Sequence, residues 1–322
     1  MSKRSSENYG QKPSSRLGRN LAIALIAGVC IFVGLAIYAD IGEVAQSLTR
    51  FKWPYIPLIL ALTLLNYLLR FCKWDYYLRT IDIKLRRRDS LTVFLSGLSM
   101  SVTPAKMGEV FKCYLLKNLS GSEMSRTVPV VFAERITDML GLSILALISF
   151  SAFEYGKELV LVVLALLLAL IWVTRSERVC NRLLAMAEPV RFLSKLSNSL
   201  RLAYESAHRL FGSTTLLLAV AISVVSWGLE CLAMHFVLQG FGVDASVMLS
   251  TFVFSFSSLA GAVSMIPGGL AVAEGSFAGL LMLTGVAKGI AAGATIVIRF
   301  CTLWFGVVVG LVTIVLAGRR LL

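Results

Sequence analysis

The sequence predicts an all-α polytopic membrane protein, with about six full spans and two oppositely oriented broken or re-entrant helical hairpins forming an inverted repeat. Three observations carry that expectation. Of 322 residues, 57% are hydrophobic and only 15% charged, with a mean hydropathy of +0.80; a water-soluble globule of that composition would expose large apolar areas. Apolar runs long enough to cross a bilayer recur along the chain. Two further apolar stretches, Ser101 to Glu109 and Ser264 to Glu274, are broken by Pro104 and Pro267. Each is followed, after nearly the same interval, by an arginine set in apolar sequence, Arg135 and Arg299. Duplicated discontinuous helices with charge beside the break are the mark of a repeat-built transport site. Segments of alternating polarity are absent, so a barrel is not expected.

In chain order, a basic tail over 1–20 precedes an apolar run at 21–39. That run is long enough to span and is followed by no clear signal-peptidase site, so it is read as a retained anchor. The second span, 54–70, is bracketed by Trp53 and Trp74, with Tyr55, Tyr76 and Tyr77 nearby, as in an interfacial belt. The first broken segment covers about 91–118, and spans at 127–150 and 157–174 follow. A basic connection, 175–212, leads to a span at 214–238, the second broken segment at about 247–286 and a last span at 289–317. Repeat A is thus about 54–150 and repeat B about 214–317, within a single membrane domain over 21–320.

The net charge of +13 comes without a nucleic-acid-reading motif, so no nucleic acid is expected as partner. Charge sets topology instead. Lys and Arg are dense in the tail, at Arg70 to Arg88, Lys112 to Arg126, Arg175 to Arg209 and Arg319–Arg320, and sparse at Arg50–Lys52, Lys157 and Lys288. Placing the dense side in the cytoplasm puts both termini inside. The first broken segment then enters and leaves from the cytoplasm and the second from the opposite side. The other reading of each is a kinked full span or a pair of spans.

Charges within apolar spans cost on the order of 3 kcal/mol each on insertion scales and are functional candidates. Glu134, Arg135 and Asp138 form one group, with Glu134 and Asp138 four apart on a helix and Arg135 in reach of Asp138. They are read either as a self-neutralising packing cluster or as an arginine held by acids for an anionic substrate. Arg299 needs a partner, for which Glu274 is the candidate, and Glu109 would stand in the same relation to Arg135. Arginine also suits bidentate phosphate recognition. Gly268 and Gly269 leave backbone N–H groups approachable beside a half-helix start; in the first break Lys106 and Lys112 would supply positive charge directly. Glu230 and His235 are weaker candidates. The six cysteines have no metal or redox spacing, and no metal cluster, nucleophile triad or phosphate loop is present in the sequence.

The run Met265-Ile266-Pro267-Gly268-Gly269-Leu270-Ala271-Val272-Ala273-Glu274-Gly275-Ser276, with Arg299 after it, resembles the flippase-like membrane family named after lysylphosphatidylglycerol synthase. The Leu69 to Arg79 segment, the turn from Thr103 to Glu109 and Glu134-Arg135-Ile136-Thr137-Asp138 are similar to further features of that family. The resemblance implies a membrane domain of the prokaryotic plasma (inner) membrane that moves a lipid between leaflets. The cytoplasmic aminoacyl-transferase domain of the bifunctional synthases is not expected, so the protein is read as no enzyme and as needing no cofactor. Ala105-Lys106 stands where a Gly-Gly pair is usual, and Ala271 where Gly is common.

The expected function is therefore translocation of an anionic phospholipid or a polyprenyl-phosphate-linked glycolipid. Pro104, Lys106, Glu109, Lys112, Glu134, Arg135, Asp138, Pro267, Gly268, Gly269, Glu274 and Arg299 are the candidate substrate-binding residues. Membrane lipids are the expected partners, with a separate lipid-modifying enzyme and a second copy of the chain as further candidates. Transport of a small soluble anion and a non-catalytic role beside a lipid-modifying enzyme are the alternatives.

Overall fold

The computed structural model describes residues 26, 28–102, 110–150, 156–176, 178 and 197–317. Every regular element among them is helical. Helix α1 (Gly28–Tyr38) is bent by 99° from the short amphipathic α2 (Ile41–Arg50). At the bend Asp40 takes a positive φ and its carboxylate caps α2 by accepting from the Gly42 N–H at 2.8 Å. A 3-10 turn at Trp53–Tyr55, with a proline in the first turn, launches α3 (Ile56–Thr80). The remaining helices are α4 (Arg87–Leu98), α5 (Phe111–Ser120), α6 (Met124–Ser149), α7 (Lys157–Arg175), α8 (Ser197–Leu210), α9 (Ser213–Gly240), α10 (Val247–Val263), α11 (Val272–Leu283), α12 (Lys288–Arg299) and α13 (Phe305–Ala317). A π-helical turn, Phe300–Trp304, joins α12 to α13 without ending the helix.

Among the described residues, four helices are long and apolar enough to cross a membrane, or five if the bent α1–α2 pair counts as one. The difference from the six expected spans lies in α6. It has 26 residues, but every 18-residue window of it contains Glu134, Arg135 and Asp138. Helix α3 also differs from expectation. It continues ten residues past the predicted end of its span, so Arg70 and Lys73 belong to a buried helix rather than a basic connection. The tail 1–20, most of the basic connection, and Arg319–Arg320 lie outside the described residues.

The core is the pairing of α3 with α9, to which α6 and α10 add. Its contacts run from Tyr55 against Phe236, through Thr63 on Glu230 and Asn66 on Ser226, to Tyr76 on Thr215. As α3 ascends, α9 descends, so the two are antiparallel. Helix α10 packs on α6, and α13 packs on α4. The second contact is close because Gly310 has no side chain; a Cβ there would meet the Ser99 backbone nitrogen within 2.3 Å.

Both broken segments are broken helices. In the first, α4 ends in turns over Ser99–Val102 and α5 begins at Phe111, with the two helices in contact. In the second, α10 and α11 flank a turn in which Met265, Gly268, Gly269 and Ala271 all have positive φ. Four such residues in seven cannot continue a right-handed helix. Gly269 is also required by space, since a Cβ would lie 3.0 Å from the Gly261 Cα on α10. The breaks meet: Gly268 faces the Val102 backbone and Leu303, and Val102 and Leu270 share an apolar cluster with Trp304 and Val307. Leu303 stands midway along the 30-residue Lys288–Ala317 helix, so the meeting point is near mid-depth of that helix.

Candidate functional site

A cavity of about 410 Å³ lies between the two halves of the chain. That is within the range of pockets that hold small molecules. Its walls come from α3, the end of α4, α6, α7, α9, α10, the Met265–Gly269 turn, α11, the end of α12, the π-turn and the start of α13. Among the described residues, Arg70, Arg135 and Arg299 line it, together with Asp138 and Glu230.

Asp138 is the hub. Lys73 Nζ donates to its Oδ1 at 2.5 Å, while Arg135 and Arg70 reach its Oδ2 at 3.5 and 3.7 Å. Lys73 is fully buried and also donates to Ser223 Oγ at 2.8 Å and Thr137 Oγ1 at 3.3 Å. One carboxylate thus serves three cations from two helices. Lys73 holds Asp138 by a charge-assisted hydrogen bond, and the two arginines add longer ion pairs to the same carboxylate.

On the other side, Arg299 Nε donates to Glu274 Oε1 at 2.6 Å, and its Nη2 donates to the Gly268 carbonyl at 2.8 Å. The expected Glu274–Arg299 pair is therefore formed, and it ties the last helix to the tip of the second break. The π-turn that follows Arg299 shifts the backbone register, and Tyr67 donates its hydroxyl proton to the Thr302 carbonyl at 2.6 Å. Gly306 makes room for that tyrosine, because a Cβ there would fall 2.6 Å from its hydroxyl.

Several expectations are corrected. Glu134 does not join the Asp138 group; its Oε2 accepts from Lys112 Nζ at 2.6 Å. Lys112 is accordingly not presented to the cavity. It lies 4.4 Å over the Trp74 ring, buried against Gly97, where a Cβ would collide with its side chain at 2.5 Å. Gly269 does not offer its N–H to a ligand, since that group donates to Ile266 O at 2.9 Å within the turn. The Gly268 carbonyl is taken up by Arg299. Pro104, Lys106 and Glu109, and with them the Glu109–Arg135 relation, lie outside the described residues. Pro267 begins the 3-10 turn that sets the tip. His235 pairs with Gln239 at 3.0 Å as a packed polar residue.

Sequence reasoning missed Arg70, Lys73, Asn66 and Trp227. The available signal was the continuing helical pattern from Leu69 to Thr80, which the basic residues and Trp74 disguised as a span end. Glu230, a weaker candidate, is buried in the cavity wall, with the Thr63 hydroxyl donating to its Oε2 at 3.3 Å.

The rim of the cavity is apolar. Among its lining residues, Phe132, Leu170, Met265 and Ile266 are exposed on the outer surface. A charged interior that opens through apolar side chains between helices defines a polytopic membrane protein with an intramembrane polar site. The chain matches the family described as lysylphosphatidylglycerol synthase TM region over residues 23–310, and it belongs to that family. It is similar to a UPF0104 membrane protein of Methanothermobacter thermautotrophicus, 25% identical over 310 residues covering 88% of this chain and 91% of the relative. A UPF0104 membrane protein of Pyrococcus horikoshii is 23% identical over 328 residues, covering 93% of this chain and 98% of the relative. A third, from Methanocaldococcus jannaschii, is 24% identical over 231 residues, covering 69% and 95%.

Proposed function

We propose that the protein is a lipid translocase of the prokaryotic plasma membrane for an anionic phospholipid or a polyprenyl-phosphate-linked glycolipid. The observation that carries this reading is the convergence of Arg70, Lys73 and Arg135 on the single carboxylate of Asp138, inside a cavity whose exposed rim is apolar. Three arginine side chains among the described lining residues suit an anionic ligand, and arginine forks suit a phosphate. An apolar rim favours entry from lipid over entry from water, which supports an acylated or prenylated ligand above a small soluble anion.

Repeat A and repeat B are read as inverted units. The antiparallel course of α3 and α9 supports this, as does the reciprocal packing of α10 on α6 and α4 on α13. Broken helices that meet midway, entered from opposite sides, would let the halves exchange roles and open the cavity to either leaflet. Both termini are placed in the cytoplasm on the charge distribution. Arg135 and Arg299 bind the phosphate, with Asp138 and Glu274 as counter-ions in the empty state. No aminoacyl transfer is assigned, and a separate lipid-modifying enzyme or a second copy of the chain is the expected protein partner.

The test is mass spectrometry of lipids that co-purify with the intact protein, against bulk membrane and against a folded Arg135→Gln/Arg299→Gln variant. Enrichment of one anionic lipid that is lost in the variant is expected. Equal lipid profiles for both proteins would remove the reading and favour a soluble anion.

A further inference from the structure

We infer that Arg70 and the indole N–H of Trp227 form a phosphoryl-binding subsite on the α3–α9 wall of the cavity, with Arg70 as the side chain that grips the phosphate. The inference rests on reading the cavity as a lipid site and names the residues that hold the headgroup there. Helix register builds the pair. Asn66, which is buried on α3, donates from Nδ2 to the Ser226 carbonyl of α9 at 2.7 Å and so fixes one helix against the other. Arg70 stands one turn further along α3, and Trp227 is next to Ser226 on α9. The guanidinium is thereby laid over the indole, its Cζ 5.4 Å from the ring centroid. Both side chains line the cavity.

The donors of this pair are uncommitted. Arg70 is only 8% exposed, yet among the described residues its Nε has no hydrogen-bond partner, and its Nη2 stands 3.7 Å from Asp138 Oδ2, beyond hydrogen-bond length. Asp138 is not free to swing closer, because Lys73 and Ser223 both donate to its other oxygen. Trp227 Nε1 is buried and likewise without a partner among the described residues. Burying donors without acceptors is costly, most of all on a charged group, and a ligand that accepts from them recovers that cost. Arg299 is the contrast. Its Nε and Nη2 already donate to Glu274 and to the Gly268 carbonyl, so it braces the second break and has less of its fork to give. A guanidinium edge takes two oxygens of one anion side by side. The indole adds a donor from a second helix, and a tetrahedral phosphoryl group carries further oxygens off the plane of the fork, which a flat carboxylate lacks. A lipid phosphodiester and a free phosphate share this chemistry.

The experiment is NMR of the full-length protein in detergent with its five tryptophans labelled at the indole nitrogen, the Trp227 signal being assigned by its loss in Trp227→Phe. Native mass spectrometry of the same samples counts bound lipid independently. The probes are phosphatidylglycerol, diacylglycerol of the same acyl chains, glycerol phosphate and inorganic phosphate. Phosphatidylglycerol is expected to move the Trp227 indole proton downfield, as a new hydrogen bond does, and to leave that of Trp53, which is exposed and outside the cavity lining, in place. Diacylglycerol is expected to leave Trp227 unmoved. The midpoint of the titration should rise at least about tenfold in Arg70→Gln, which loses charge-assisted bonds, and severalfold in Arg70→Lys, which keeps the charge and loses the fork. Arg79→Gln, at an exposed arginine of the same helix, should titrate as the unaltered protein does.

The arms separate the sources. A Trp227 shift reached at far lower concentration with phosphatidylglycerol than with glycerol phosphate or inorganic phosphate supports the lipid headgroup. An Arg70-dependent shift with the soluble phosphates and none with the lipid would keep the subsite and overturn the lipid reading. Lipid adducts in the mass spectrum with Trp227 unmoved, an equal shift from diacylglycerol, or Arg70→Lys and Arg70→Gln that both titrate as the unaltered protein would each overturn the subsite and leave the lipid site standing. Neither shift nor adduct with any probe would overturn both.

Discussion

Replacing Glu274 by Gln separates two roles of Arg299, because the arginine holds both Glu274 on α11 and the Gly268 carbonyl at the tip. At 2.6 Å, two unit charges in an environment of effective dielectric about 20 attract by about 6 kcal/mol before desolvation is charged against them. Glu274 is 1% exposed and Arg299 8%, so removing one partner leaves an uncompensated buried charge and should cost about 3–5 kcal/mol. Arg299→Gln leaves the Glu274 carboxylate stranded and also removes the tie to Gly268, so it should be the more damaging single change. The double variant Glu274→Gln/Arg299→Gln places two neutral, mutually hydrogen-bonding amides in the same space. It should be more stable than Arg299→Gln alone, with a coupling energy of about 2 kcal/mol or more. For a chain of this size about 2 °C of apparent Tm accompanies each kcal/mol, so the single variants should melt roughly 6–10 °C lower. The assay is thermal unfolding in detergent followed by tryptophan fluorescence at one fixed scan rate, because membrane proteins of several helices rarely unfold reversibly. Single effects that simply add in the double variant would refute the reasoning, since an interacting buried pair cannot be additive.

Two further outcomes rest on single residues. Ala271 holds φ 69 and ψ −48, a conformation suited to glycine; Ala271→Gly should raise stability by about 1 kcal/mol, read as a Tm increase in the same melt. Lys112→Met keeps the length of the side chain and strands Glu134, which should destabilise by about 3–5 kcal/mol; Lys112→Met/Glu134→Gln should recover much of that loss, and a double variant no better than the single would argue against the pair.

The parts of this fold that could be read from sequence are those set by local backbone chemistry. Pro267 with two glycines has few conformations other than a break, and the break is there. Arg299, isolated in apolar sequence, demanded a carboxylate, and Glu274 supplies it. Trp74 shows where such reading ends. A tryptophan near a span end marks an interface only if its ring meets headgroups; this one is fully buried and forms the platform for Lys112. Trp53, by contrast, is exposed, as the interfacial assignment requires. Misreading Trp74 shortened α3 and sent Arg70 and Lys73 to the cytoplasm. The i, i+4 spacing of Glu134 and Asp138 likewise put them on one face correctly but could not tell which neighbour each would meet. Arg135 meets Asp138 within α6 as its spacing predicted, but Lys112 comes from α5 and Arg70 and Lys73 from α3, and nothing in the local pattern of α6 encodes those partners.

The two halves carry the same kind of ion pair with the signs exchanged, and this sets a limit on how alike they can be. In the second half the cation, Arg299, is on the long helix and the carboxylate, Glu274, is on the broken segment. In the first half the cation, Lys112, is on the broken segment and the carboxylate, Glu134, is on the long helix. Arg299 therefore reaches the cavity while still bound to Glu274, whereas Lys112 is buried against Trp74 and does not line the cavity. The first half compensates with Arg70 and Arg135, both of which line the cavity around Asp138. On the proposed function, a phosphate in the cavity would meet one arginine from one side and two from the other. Moving it between two outward states would change its contacts unequally, and a ligand can bias a two-state equilibrium only through such a difference.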